Sequence, residues 1–403
     1  MSPERCLELV RLTLEGLSGV DPKVAVEEVL SANDPDGEAI TVIAIGKAAP
    51  AMARGASAHF RRRIRRMLVI SDHQEPVPPG AELMVSSHPV PDKTSLAAGE
   101  RALEVAADEA DHVVFLISGG GSALAEVPQG DLTIDEVGEV FELLLWEGVT
   151  IEDANLIRTH LSSVKGGKLA SVTAGPTTTI VHSDVGPNLE LVASGPSIPA
   201  KSRPADALDA LRRLDLVDRV PPRILAALGT EKSVVAGPTG TVFEAGSGAT
   251  AAEAIAAAGR DLGLPTEVVT TSLRGEASEA AEWALNATSP GRIGIFAGET
   301  TVTVHGSGKG GRNQEAALAA SLLIDGGDVA FLAFGTDGVD GPTDAAGAYV
   351  DGGTFERARR AGFDPVACLS ANDSYPVLDA AGALIRTGPT GINVADIWVV
   401  DRR

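Results

Sequence analysis

Short apolar runs alternate with Ala-rich amphipathic segments along most of the chain. The runs at 41–45 (TVIAI), 67–71 (MLVIS), 82–86 (ELMVS) and 112–118 (HVVFLIS) are β-branched and apolar throughout. Residues 48–60 and 95–108 instead space their apolar positions as a helix does. Strands apolar on both faces and separated by helices predict a parallel sheet covered on both sides. The first thirty residues read as helix, with CLELVRLTL followed by a second amphipathic stretch from Pro22 to about Leu30. Residues 131–172 read as mostly helical, and a Pro/Gly-rich irregular stretch follows, including SDVGPNLELVASGPSIP at 183–199. Composition loosens again around 232–240, where a second alternating series begins. Its expected strands are 241–245, 266–270, 292–296, 301–305, 329–334 and 396–400, and its expected helices 249–260, 276–287 and 312–323. No repeat of fixed period is visible. The simplest partition is two α/β domains, 1–235 and 236–403, the first a Rossmann-like doubly wound sheet.

Length and charge narrow the class. The 403 residues carry 55 acidic against 33 basic side chains, a formal charge of −22. That balance repels nucleic acid and anionic membranes as general partners. The basic set is 25 Arg and only eight Lys, and such an acidic, Lys-poor surface matches a halophilic, salt-adapted protein. RRRIRR at 61–66 is the one basic cluster; at a helix end before a strand it reads as a dipole and solvation feature. No apolar run approaches the ~18 residues of a membrane span, and MSPERCLELV is no signal peptide, so a cytoplasmic protein is expected. Cys6 and Cys368 stand far apart and outside any metal-binding spacing, which argues against a disulfide framework or a zinc site.

Four Gly-rich turns follow expected strands. Gly46 and Lys47 end TVIAI, at the sheet edge where open α/β sheets bind ligands. Ser118, Gly119, Gly120, Gly121 and Ser122 end HVVFLIS, and their backbone N–H groups, with a following helix start, suit a phosphate. Lys309 and Arg312 stand in GSGKGGR before a helix, where cations oppose the dipole unless an anion neutralises them. Asp337, Asp340 and Asp344 lie in GTDGVDGPTDAAG; the pattern lacks an EF-hand's terminal Glu and suits Mg²⁺ beside phosphates, or a base for a hydroxyl. Glu299, in AGETT, stands between two expected strands and is placed to join them. His88 and His160 lie near these loops but assemble into no Ser-His-Asp or HExxH arrangement. Cations, glycines and carboxylates together are the inventory of phosphoryl transfer.

Nine blocks follow in order from about residue 5 to 400: AIGKAA, SSHPVPD, LISGGGSAL, RTHLSSVKGGKLA, SDV…ASGP, GETTVTV, GKGGRNQEAALA, GTDGVDGPTDAAGA and TGPTGINVADIWV. The series resembles the glycerate 2-kinase family, whose C-terminal half is called the MOFRL domain. The resemblance implies an ATP- and Mg²⁺-dependent kinase that phosphorylates D-glycerate at the 2-hydroxyl, with the active site in the cleft between two α/β domains. The family's important lysine falls on Lys47 and its important arginine on Arg312. Asp337 joins them as the third expected catalytic residue, while Ser118 to Ser122 and Lys309 are expected to bind nucleotide phosphates. Asp184, Glu299 and Asp340 are candidates for substrate or metal contacts, with Asp184 and Asp337 the expected metal ligands. Where the family usually has an acidic pair between SDV and ASGP, this chain has Asn188 and Glu190. Two competing readings are a hydroxypyruvate reductase and a non-catalytic nucleotide or sugar-phosphate sensor. The first lacks a strand–GxGxxG–helix with a downstream ribose acid, and the second has no need of Lys47, Arg312 and the aspartates together. A homodimer is compatible with all of this.

Overall fold

A computed structural model describes residues 3–186, 188–230 and 240–403. The chain divides into two compact units, Pro22–Ala245 and Met1–Asp21 with Gly246–Arg403. The break expected at 235/236 falls outside the described residues. The N-terminal helix Pro3–Leu17, which chain order assigned to the first domain, packs instead with the C-terminal unit. Its Leu9, Leu12 and Leu17 are buried in one cluster with Ala251, Ala252 and Ile255 of the helix Gly248–Asp261. Arg5 secures it by gripping Asp401 at 2.7 and 2.6 Å.

In the unit Pro22–Ala245, β1 (Ile40–Ile45), β2 (Ile64–Ser71), β3 (Glu82–Val85), β4 (His112–Ser118), β5 (Thr177–His182) and β6 (Thr241–Gly246) form a sheet of order β3-β2-β1-β4-β5-β6. The pairs β2–β3, β1–β2, β1–β4 and β4–β5 are parallel, as the apolar runs predict. Even residues of β1 (Val42, Ala44) pack under the helices Pro22–Ala32 and Ala49–Phe60, and odd ones (Ile43, Ile45) under Lys93–Ala106. The strand order reverses between β1 and β4, which opens a crevice at their carboxyl ends. Two strands depart from expectation. TVFEA, taken as the start of the second series, is the edge strand β6 of this sheet. TTTIVH, read as irregular because it lacks an apolar run, is the fully buried β5. Its polar tips are satisfied sideways: Thr178 Oγ1 meets His112 Nε2 at 2.9 Å and Thr179 donates to Ser197 at 2.9 Å.

The other unit holds β7 (Thr266–Leu273), β8 (Ile293–Gly298), β9 (Ala330–Gly335), β10 (Gly347–Asp351), β11 (Leu384–Ile385) and β12 (Asp396–Asp401), in the order β11-β10-β9-β12-β8-β7. This sheet is mixed: β7–β8 is parallel, whereas β12 runs antiparallel to β8 and β9, and β10 to β9 and β11. The helices Pro3–Leu17 and Gly248–Asp261 cover one face, and Ala277–Ala287 and Arg312–Leu323 the other. Residues 301–305, expected as a strand, make only a single bridge at Thr301. Thr303 spends its N–H on the Glu276 carboxylate rather than on a ladder, and Val304 is 73 % exposed. Among the described residues, no helix is long and apolar enough to cross a membrane.

Candidate active site

In the unit Pro22–Ala245 the turn after β1 and the turn after β4 are tied together at the point where strand order reverses. Lys47 N–H donates to Gly119 O at 2.9 Å, and Ala48 N–H to Ser118 Oγ at 3.1 Å. The approach is so close that a Cβ on Gly46, whose φ is +131°, would lie 2.2 Å from Ser118 Oγ. The carbonyls of Gly119, Gly120 and Gly121 accept from Lys47, Ala123 and Ala125, while no N–H of residues 119–122 is spent on another described turn or loop. Unspent N–H groups of this kind are suited to an anion. The helix behind them, Gly121–Leu124, is a single turn, so the expected macrodipole contribution is small.

Lys47 and His88 close over the glycine loop. A Cβ at Gly120 (φ +83°) would stand 3.0 Å from Lys47 Cγ and 3.5 Å from His88 Cδ2, so only glycine leaves room. Among the described residues Lys47 makes no side-chain hydrogen bond or ion pair. Burial, and then the charges of Lys47 and Arg158, hold His88 below the usual imidazole range against the pull of Asp72. His88 is therefore a neutral member of this site rather than the incidental residue its sequence context suggests. His160, in contrast, is structural: it bonds Ser202 at 2.9 Å, and burial pushes it down to about 4. Ser122 Oγ meets Ser194 Oγ at 2.8 Å, and Ser194 donates to Asn155 Oδ1 at 2.5 Å, linking the loop to the helix Ile151–Leu161. Asp184 lies half-buried two residues past β5, whose His182 is paired with Ser118, and so on the same sheet edge as the glycine loop.

The second group of expected residues surrounds the start of the helix Arg312–Leu323. Arg312 is not a free clamp. Its guanidinium holds Asp396 through Nε at 2.6 Å and Nη2 at 3.1 Å, and Glu299 through Nη1 at 2.5 Å. Although burial works against it, these carboxylates keep Arg312 above its ordinary range. Asp396 is itself wholly buried, which raises its carboxyl to about 6 against the pull of Arg312 and leaves it ionised at neutral pH. The anion that the loop cations demanded is thus largely supplied by the protein.

Asp340 has a similar fate. Its Oδ1 accepts Asn313 N–H at 3.1 Å and its Oδ2 accepts Gln314 N–H at 2.8 Å, capping the helix from a different loop. Side-chain amides of the same two residues fill its remaining sites at 3.3 and 3.0 Å. It is 3 % exposed, and these four contacts engage both of its carboxylate oxygens. Asp337 is different: among the described residues its carboxylate accepts only Val339 N–H at 3.1 Å, on one oxygen. It lines a cleft of about 560 Å³ with Arg312, Glu315, Asn372 and the exposed edges of Val304 and Val339. Lys309, expected to bind phosphate, does not line that cleft. Its ammonium lies 4.2 Å from the Tyr375 ring, a cation–π contact.

Several site residues escaped the sequence reading. Arg158 and Asp396 lie inside blocks that drew attention as a whole, Asn155 lies just outside one, and only folding gives their side chains a role. Glu315, beside Asn372, is raised to about 7, mainly by burial and then by Glu276 and Asp340. Nothing in RNQEAALA marks it off from an ordinary exposed helix glutamate.

Mg²⁺ asks for hard oxygen ligands, and beside phosphates one or two carboxylates suffice. Among the described residues, no group of three or more His, Cys, Asp or Glu could hold a metal unaided. An exposed carboxylate edge such as that of Asp337 fits a shared site of this kind.

Residues 8–229 match a family model described as a domain of unknown function, DUF4147, and residues 292–396 match the MOFRL family. A D-glycerate 2-kinase of Thermotoga maritima is 37 % identical over 98 % of this chain and 96 % of its own length. A glycerate 2-kinase of Pyrococcus horikoshii is 35 % identical over 97 % of this chain and 96 % of its own. The crystal structure of a glycerate kinase from Thermotoga maritima superimposes with a TM-score of 0.89 at 35 % identity, covering 99 % of both chains.

Proposed function

This chain belongs to the glycerate 2-kinase family, and from that membership we propose that it transfers the γ-phosphoryl group of ATP to the 2-hydroxyl of D-glycerate, giving 2-phosphoglycerate and ADP. The observation that carries the reading is Lys47. It is an ammonium without a partner among the described residues, held over a glycine loop of unspent N–H groups at the switch point of a Rossmann-like sheet, in a chain similar to kinases along nearly its whole length.

Phosphoryl transfer asks the protein mainly to position the reactants and neutralise charge. Lys47 meets the transferring phosphoryl group, and the N–H groups of residues 119–122 cradle the nucleotide phosphates. In the other unit Asp337, with an oxygen to spare, suits a proton acceptor or a Mg²⁺ ligand, and Asp184, in the unit of Lys47, is the second metal candidate. Mg²⁺, when bound, offsets charge on the phosphates. Arg312, already engaged by Asp396 and Glu299, offers its remaining edge to a substrate oxyanion. The hydroxypyruvate reductase reading is weaker, because Ala48 stands where the G-x-G-x-x-G turn after β1 would need its second glycine. The acidic, Lys-poor surface supports a halophilic, cytoplasmic enzyme.

The test is a coupled assay with ATP, Mg²⁺ and D-glycerate in molar KCl, reported through enolase, pyruvate kinase and lactate dehydrogenase without phosphoglycerate mutase. NADH oxidation without the mutase identifies 2-phosphoglycerate. Signal only after mutase addition moves the reaction to the 3-hydroxyl, and silence in both overturns glycerate as substrate.

A further inference from the structure

Arg158 sits in the last turn of the helix Ile151–Leu161, is 8 % exposed, and makes no hydrogen bond to any described residue. Its Nε is sealed from solvent without a partner. The guanidinium carbon rests 4.2 Å from the centre of the Phe141 ring, which forms a floor beneath it. Burial lowers its affinity for the proton, but only to about 10, so it is fully charged at neutral pH. A buried arginine with idle donors is costly, and such groups normally have a partner.

Among the described residues no carboxylate fills that role. Glu126 acts on Arg158 only through space, and its own Oε2 is taken by the wholly buried Lys165. Asn155, one helical turn earlier and on the same face, reaches Ser194 and through it Ser122 of the glycine loop. The charge of Arg158 is also felt at His88, which with Lys47 stands against Gly120. Lys47 and neutral His88 thus stand against Gly120, and Arg158 adds a second positive charge to the same side of this unit.

We propose that Arg158 binds the carboxylate of the hydroxy-acid substrate, beside the glycine loop that Ser194 and Asn155 tie to its own helix. A planar fork lying on an aromatic floor matches a planar carboxylate, whereas a point-charge lysine and a row of N–H groups match a phosphoryl group. The inference rests on the kinase reading for the identity of the acid, but not for the presence of a carboxylate site.

Arg158→Met keeps the apolar stack on Phe141 and removes the fork; Arg158→Lys keeps the charge alone. Loss of a bidentate, charge-assisted contact raises the KM for D-glycerate about 10²-fold in R158M, with the KM for ATP within about twofold of wild type. R158K, which keeps the fold if R158M does not, shows a smaller shift in the same parameter. Direct binding separates this inference from the kinase reading. D-glycerate and D-lactate should raise the melting temperature of the wild type but not of the variants, while inorganic phosphate protects all three. If the wild type phosphorylates no glycerate yet its carboxylate protection depends on Arg158, the inference stands and the kinase reading falls. Unchanged glycerate KM and carboxylate protection in R158M and R158K, or loss of phosphate protection instead, overturns it.

Discussion

Replacing Asp340 with alanine separates a structural carboxylate from a catalytic one. In the folded protein Asp340 accepts the N–H groups of Asn313 and Gln314, in the first turn of the helix Arg312–Leu323, at 3.1 and 2.8 Å, and two side-chain amides besides. A helix cap is worth about 1–2 kcal/mol, and hydrogen bonds to a buried charge somewhat more, so a loss of about 3 kcal/mol is expected. The site is 3 % exposed, so water cannot readily replace the lost acceptors. For a unit of this size, that loss lowers the melting temperature by roughly 6–12 °C. Differential scanning calorimetry of D340A, with turnover measured well below its melting temperature, reads both quantities. D337A should do the reverse: it removes one exposed turn contact, so stability changes by less than about 1 kcal/mol while turnover falls. If D340A melts within about 2 °C of wild type but has no turnover, Asp340 acts directly on substrate or metal and the capping assignment is wrong.

Lys47→Ala should lower kcat by about 10² or more without moving the melting temperature, because its ammonium has no partner to lose among the described residues. Arg312→Ala should lower both, since it strands the buried Asp396 carboxylate at a cost of about 3–5 kcal/mol; a variant as stable as wild type would contradict that ion pair's role. Glu315 has a folded pKa raised from 4.5 to about 7, so the stability it contributes is full below about pH 4.5 and is lost as pH rises to about 7. Glu315→Gln should flatten that part of the urea-denaturation pH profile and add about 1–2 kcal/mol at pH 8, after allowance for solvent screening; an unchanged profile refutes the assignment. Activity and stability should rise toward molar KCl as salt screens a formal charge of −22, and a maximum in dilute buffer would remove the salt adaptation.

Much of the sheet framework was legible in the chain because buried parallel strands must be apolar on both faces. TVIAI, MLVIS and HVVFLIS could be nothing else once helices separated them, and Gly46, Lys47 and residues 118–122 were located by standing at their ends. Periodicity failed where burial was satisfied by something other than an apolar side chain. The threonines of β5 are buried because their hydroxyls find His112 and Ser197, and 301–305 is not a strand because Glu276 takes its N–H. Chain order misled at the ends: Pro3–Leu17 found its apolar partner in the helix Gly248–Asp261, some 240 residues away.

The sequence by itself determined which residue types gather after which strands, since local backbone preference and hydrophobic pattern act over a few residues. Only tertiary structure decided which of those charges remain unspent. Arg312 and Asp340 are consumed by Asp396 and by a helix terminus, while Lys47 and the unremarked Arg158 keep theirs. The reason is physical: a charge's availability depends on what lies within a few ångströms of it, and those neighbours come from parts of the chain that no local pattern connects.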